Sequence, residues 1–273
     1  MEQTHLLHSY NELERSTYNL LENLFLTFVI GVFAGLVGSL LGLGGGIIIS
    51  PILTLSGFLP SQVASTSLLA VASTGASSTV SYSIKKKIRY SVGIKVAAFA
   101  VPFSIIGAFV SSILEPNEFK LYFAILLIAV SFYLLVRKSK RENKHDHDKR
   151  GKLSSNALLY VGSSAAGLIS SVFGIGGGII FVPLLFAVKK LSMQQSVATS
   201  QLSILITSIA GILTHSVLYQ QDYLFAGTIA LGALAGAQIG SFIAIRISER
   251  LLTILFSISL IIIAVQLILG YIQ

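Results

Sequence analysis

Two apolar runs, residues 24–58 and 153–188, each carry three adjacent glycines, and neither has a length that fits an ordinary crossing of a bilayer. At 1.5 Å per residue a straight helix over either run would reach about 52–54 Å, too long for one passage through a hydrocarbon core ~30 Å thick and short for two. Each run must break or fold back. Six further apolar runs, at 61–84, 91–114, 119–136, 195–218, 224–245 and 251–272, have single-crossing length. With 53% hydrophobic residues against 11% charged and a mean hydropathy of +0.82, a soluble fold is excluded.

The two long runs are copies of one another. GLVGSLLGLGGGIIISPIL at 35–53 aligns without gaps to GLISSVFGIGGGIIFVPLL at 167–185, and eleven of the nineteen positions are identical. Pro51 and Pro183 coincide, and VASTSL at 63–68 is echoed by VATSQL at 197–202. Duplication explains this economically. The expected units are a segment 1–23, a first transmembrane repeat 24–136, a basic linker 137–152 and a second transmembrane repeat 153–273.

Charge fixes the expected relation between the repeats. Of nineteen Lys and Arg, eight lie in 137–152 and four more in 85–89, in short loops between apolar runs. That is the positive-inside pattern, so both loops are expected in the cytoplasm and the +8 net charge does not point to nucleic acid. The EPNEF loop at 115–119 then lies outside. Arg246 and Arg250 place their loop inside, which puts QQD at 220–222 outside. Equivalent loops fall on opposite sides, as an inverted-topology repeat with an odd number of crossings requires. The predicted fold is an all-α polytopic membrane protein of two inverted-topology repeats, each a broken Gly-rich helical hairpin plus three transmembrane helices. Both termini are expected outside the cytoplasm, in keeping with the four glutamates and single arginine of residues 1–23, a composition unlike a cleaved signal peptide.

Two sets of residues could carry chemistry. Gly42, Gly44, Gly45 and Gly46, with Gly174, Gly176, Gly177 and Gly178, cannot hold a regular helix, and unwound backbone at membrane depth is tolerated only where protein buries it or a cavity faces it. The helix that resumes after each break offers free amides and a positive dipole end to an anion. The competing reading is a tight helix crossing. The second set begins each following helix: Thr66 and Ser67, then Thr199, Ser200 and Gln201, neutral donors suited to an oxyanion. Ser61, Gln62, Gln194 and Gln195, one turn shallower, are read as interfacial caps. His215 is read as interfacial, Lys95 as snorkelling, and Gly232, Gly236 and Gly240 as a packing face. HDHD at 145–148 is read as a solvated loop, so no metal site is expected. The absence of cysteine removes disulfides and thiolate metal sites, and no Walker loop or serine-hydrolase elbow occurs. No cofactor, no nucleic acid and no enzymatic activity are expected.

GLGGGIIISPIL and GIGGGIIFVPLL resemble the duplicated signature of the TauE/SafE sulfite exporter family, also called the toluene sulfonate uptake permease group, over roughly residues 28–270. The resemblance implies a multi-pass permease of the cell membrane that moves small sulfur-containing anions such as sulfite or sulfonates, usually as an exporter. By position its motif residues are Gly42, Gly44, Gly45, Gly46 and Pro51, with Gly174, Gly176, Gly177, Gly178 and Pro183. Gln201 departs from the commoner apolar or hydroxyl residue. The expected partners are a small anion and the lipid bilayer, and the expected mechanism is alternating access. A passive anion channel and a non-transporting membrane scaffold or assembly factor are the alternatives.

Overall fold

A computed structural model describes residues 24–141, 152–218 and 222–272 of the chain. The expected segment 1–23, the HDHD sequence and the middle of the basic linker lie outside them. The described residues form helices α1 (Leu24–Leu41), α2 (Gly46–Leu55), α3 (Pro60–Ile84), α4 (Tyr90–Ile113) and α5 (Pro116–Arg141), then α6 (Lys152–Phe173), α7 (Gly178–Val188), α8 (Met193–Leu218), α9 (Tyr223–Arg246) and α10 (Glu249–Ile272). The sequence 35–53 and its copy thus fall at the same junction, a long helix followed by a short one. Helix α5 continues to Arg141, so the first basic residues of the expected linker are helical.

Each long run breaks at its glycines and folds back. Leu43 and Gly44 both donate to Gly38 O, at 2.8 and 3.1 Å, which closes α1 in a tight turn. Gly45 then lies alongside α1 again, where a Cβ on it would stand 3.0 Å from Ala34 O. In the second run Ile175 donates to Ser170 O at 3.2 Å, and a Cβ on Gly177 would stand 3.0 Å from Ala166 O. Gly45 and Gly177 have φ of 81° and 74°, a backbone that costs an L-residue steric strain.

Among the described residues, five helices are long and apolar enough to cross a bilayer: α1, α4, the 156–173 part of α6, α8 and α9. Helix α3, expected as an ordinary span, is not one of them. Its composition is rich in Ser and Thr because protein surrounds it: Ser65, Thr66, Ser67, Thr74, Ser77 and Ser78 are all buried. Conversely Phe25, Phe33, Ile113, Val161, Leu213 and Leu231 are exposed, as lipid-facing side chains should be. The buried polar side chains among the described residues are Ser, Thr, Gln201 and His215, with no Asp, Glu, Lys or Arg.

The two halves interlock through small residues. Helix α1 lies on α9: Cβ atoms on Gly232, Gly236 and Gly240 would collide with the carbonyl oxygens of Phe28, Val32 and Leu36. These glycines therefore form the packing face that their spacing suggests. Helix α6 lies on α4 in the matching way, with Gly167 against Ala100 O and Gly107 against Leu168 O. Hydroxyls tie the remaining long helices across the halves: Ser77 donates to Leu234 O at 2.8 Å, and Ser104 to Thr207 O at 3.1 Å.

Candidate functional site

The two glycine breaks touch each other. A Cβ on Gly46, the first residue of α2, would collide with Gly174 O and stand 2.8 Å from Ile175 Cα. A Cβ on Gly178, the first residue of α7, would collide with Gly42 O and stand 2.7 Å from Leu43 Cα. The start of each short helix therefore abuts the carbonyl that ends the other half's long helix. Positive and negative helix ends meet twice at one point and offset one another's partial charges. Gly44 and Gly176 both face the same two side chains, Val71 of α3 and Ile204 of α8, which stand between the breaks. All eight motif glycines are buried.

Side chains of the second set hold this arrangement in place. Ser200 donates to Gly42 O at 2.8 Å, and Gln201 Nε2 donates to Gly38 O at 2.8 Å. Ser50 donates to Phe173 O at 2.7 Å and lies 3.0 Å from Ser67 Oγ. Unwinding a helix leaves its last carbonyls short of intrahelical donors; the hydroxyls of Ser200 and Ser50 supply Gly42 O and Phe173 O, and the Gln201 amide adds a further donor to Gly38 O. The hydroxyl donors of Ser200 and Ser50 and one N–H of Gln201 are thus engaged by protein. Because Gly38 O can only accept, the Gln201 amide orientation is set, and its Oε1 is buried without a partner among the described residues. The N–H groups that open α2 and α7 are the donors the helix geometry itself leaves over.

The two threonines differ from the serines. Thr199 accepts from Arg89 N at 3.0 Å, at the turn between α3 and α4, and Thr66 is buried. Gln194 does not act as a simple cap: it accepts from Lys87 Nζ at 3.1 Å and donates to Ile245 O and Ile247 O at 3.1 and 3.0 Å. It joins the α3–α4 turn to the α9–α10 turn. Gln62 does cap, accepting from Leu59 N at 3.0 Å. Lys95 is exposed, as snorkelling requires. His215, read as interfacial from its nearness to a loop, is covered by protein: it is 1% exposed, with Nε2 3.2 Å from Ser171 O. Neighbouring α4 and α6 cover a ring that sequence places close to a loop.

Sequence alignment also misplaces one register. Gly174 lies against Ala64 and Gly42 against Val197, so Ala64 corresponds to Val197. VASTSL and VATSQL, matched by letter, are one residue out of step, and Thr66 corresponds to Thr199 rather than to Ser200. Helix α7 is one residue longer than α2, eleven against ten, which sets the spacing of corresponding residues at 133 beyond the breaks against 132 at the glycines. Extending the repeat with that shift pairs Tyr82 with His215, a match that motif alignment stops short of.

The profile of the family described as sulfite exporter TauE/SafE matches residues 27–267. The chain belongs to that family. The region matched takes in both breaks and every helix that holds them. This TauE/SafE family protein is 32% identical over 260 residues to Probable membrane transporter protein YunE of Bacillus subtilis, covering 88% of this chain and 95% of that one. A relative from Methanocaldococcus jannaschii, likewise named as a membrane transporter protein, is 30% identical over 248 residues, 85% of this chain and 90% of its own. A Haemophilus influenzae relative of the same description is 26% identical over 224 residues, 77% and 82% of the two chains. No solved structure matches the chain. With its apolar helices, this TauE/SafE family protein is a multi-pass membrane protein of a transporter family that handles small molecules.

Proposed function

We propose that the chain is a carrier, not an enzyme, that moves a small oxyanion, sulfite or an organosulfonate, out of the cell by alternating access between two inverted repeats in the cell membrane. The observation that carries this reading is the reciprocal contact of the two breaks, Gly46 on Gly174 O and Gly178 on Gly42 O. Parting that contact frees two helix starts at once, each with about half a positive charge and unpaired N–H groups. An anion can bind there without the desolvation cost of a buried Lys or Arg. Burial of both breaks fits a closed state of a carrier and disfavours a permanently open channel.

Two further features support the repeat arrangement. Each half supplies its own break, and matching residues of the two halves make matching contacts. Lys85, Lys86, Lys87 and Arg89 at the α3–α4 turn, and Arg246 and Arg250 at the α9–α10 turn, favour the cytoplasmic side for both. The α4–α5 and α8–α9 turns, and both chain ends, then face outward. The sulfur chemistry of the substrate rests on the family description alone.

The test is flux in proteoliposomes with sulfite, sulfoacetate, thiosulfate, phosphate, chloride and sodium assayed separately. Saturable movement of sulfite or sulfoacetate is expected. Movement of sodium with no dependence on anion overturns the reading, and phosphate or chloride as sole substrate retains the mechanism while discarding sulfur.

A further inference from the structure

Tyr82 and His215 occupy corresponding places, each closing the last turn of the long helix that precedes a glycine break. Tyr82 Oη donates to Ser39 O at 2.9 Å, two residues before the end of α1. His215 Nε2 lies 3.2 Å from Ser171 O, two residues before the end of α6. A carbonyl only accepts, so Nε2 carries hydrogen and Nδ1 is the acceptor of the neutral ring. Nδ1 is buried with no partner among the described residues, and so are the hydroxyls of Ser170 and Ser171 on the same turn of α6.

Ser39 Oγ, at the tyrosine end, has a hydroxyl partner, where its counterpart Ser171 Oγ at the histidine end has none among the described residues. Ser78, one turn before Tyr82, donates to Ser39 Oγ at 2.7 Å. The corresponding residue one turn before His215 is Gly211, where a Cβ would stand 3.0 Å from Ser171 Oγ and 3.3 Å from Ser104 Oγ. No hydroxyl projects from α8 there to engage Ser171. This turn of α6 thus keeps two buried hydroxyls with unused hydrogen-bonding capacity beside a side chain that can gain a proton.

We propose that His215 is the proton-binding site of this protein, and that one proton on Nδ1 crosses with each anion, so that export runs on the outward gradient of the anion itself. This rests on the transport reading above and adds the coupling ion to it. Protonation leaves the Nε2 hydrogen bond to Ser171 O intact and turns Nδ1 from acceptor to donor, beside a turn of α6 that carries two unpartnered hydroxyls. The imidazolium sits at the C-terminal turn of α6, whose dipole favours a cation. Ser171, whose carbonyl the ring contacts, lies three residues before Gly174, and from there the charge strengthens the hold of an anion on the start of α7. Tyr82 cannot gain a proton in this way, so only one of the two ends titrates.

Among the charged groups of α5, Lys120 is half-buried, on the helix whose Phe119 and Phe123 pack on Phe173 of α6. Helix α6 brings Ser170 and Ser171, α4 brings Ser104, and α3 brings Leu68 against Gly211. Helices α1 and α7 contain no titratable residue, and α10 carries Glu249 and Arg250 at its opposite end. Glu115, Glu118 and Asp222, at the same end as His215, are exposed.

The experiment compares wild type with His215→Tyr and His215→Gln in proteoliposomes, using sulfoacetate, whose sulfonate does not titrate. Tyrosine already serves the corresponding place at Tyr82, so His215→Tyr keeps a partner for Ser171 O. In wild type, acid on one side is expected to drive sulfoacetate accumulation on the other. Both variants are expected to lose that stimulation, while counterflow at equal pH persists with a weakened apparent affinity for sulfoacetate. Stimulation retained in either variant, or absent from an active wild type, overturns the proposal. If wild type moves no anion, the transport reading fails and the proton site is judged separately. In a chain with His5, His8, His145 and His147 replaced by Gln, the 15N signals of His215 should then shift across the range in which imidazole titrates, and a ring neutral throughout overturns the site.

Discussion

Ser200 Oγ donates to Gly42 O at 2.8 Å, a bond between residues 158 positions apart that ties the middle of one half to the break of the other. Ser200→Ala leaves a buried carbonyl without its donor, a cost of about 1–3 kcal/mol. Thermal unfolding in detergent should show lowered stability, and flux should fall with it. Unchanged stability would mean that Gly42 O is satisfied otherwise.

Gly46 and Gly178 have no room for a methyl group, because each lies against a carbonyl oxygen of the opposite break. Gly46→Ala and Gly178→Ala should insert normally, lose stability by about 1–3 kcal/mol and transport poorly. Gly227→Ala is the control, since nothing lies within 4 Å of a Cβ there. Equal flux in all three variants would show that contact between the breaks is irrelevant to transport.

A chain without cysteine allows single-site labelling with impermeant reagents. Lys86→Cys should react only from the cytoplasm, and Asn117→Cys and Asp222→Cys only from outside. Labelling of Asp222→Cys from the cytoplasm alone would sink the inverted arrangement.

Gln194 bridges Lys87 Nζ and the carbonyls of Ile245 and Ile247, so it fastens two turns at one end of the molecule. Gln194→Ala should speed hydrogen exchange around 245–247 while leaving the end near His215 unchanged. Uniform acceleration at both ends would indicate global destabilisation instead.

The breaks were legible because three glycines inside an overlong apolar run admit few backbones, and the doubled motif marked both. The small-residue face of α9 was legible from its four-residue spacing for the same kind of reason. Less was visible where tertiary contacts decide. His215 stands close to a loop in sequence, yet α4 and α6 cover it. The donors of Ser200 and Gln201 read as substrate ligands until the carbonyls of Gly42 and Gly38, which claim them, are located. The extra residue of α7 takes the spacing of corresponding residues from 132 at the glycines to 133 beyond them, and the letter match of VASTSL to VATSQL, at 134, overshoots by one.

The reciprocal crossing of α1 on α9 has a consequence for biosynthesis. Helix α1 enters the membrane about 200 residues before its partner exists, with Gly31 and Gly35 lacking the backbone they pack against. At ~5–20 residues per second the ribosome takes roughly 10–40 s to deliver α9. Through that interval the nascent first half holds an unfilled seam, and the final assembly must follow insertion rather than accompany it.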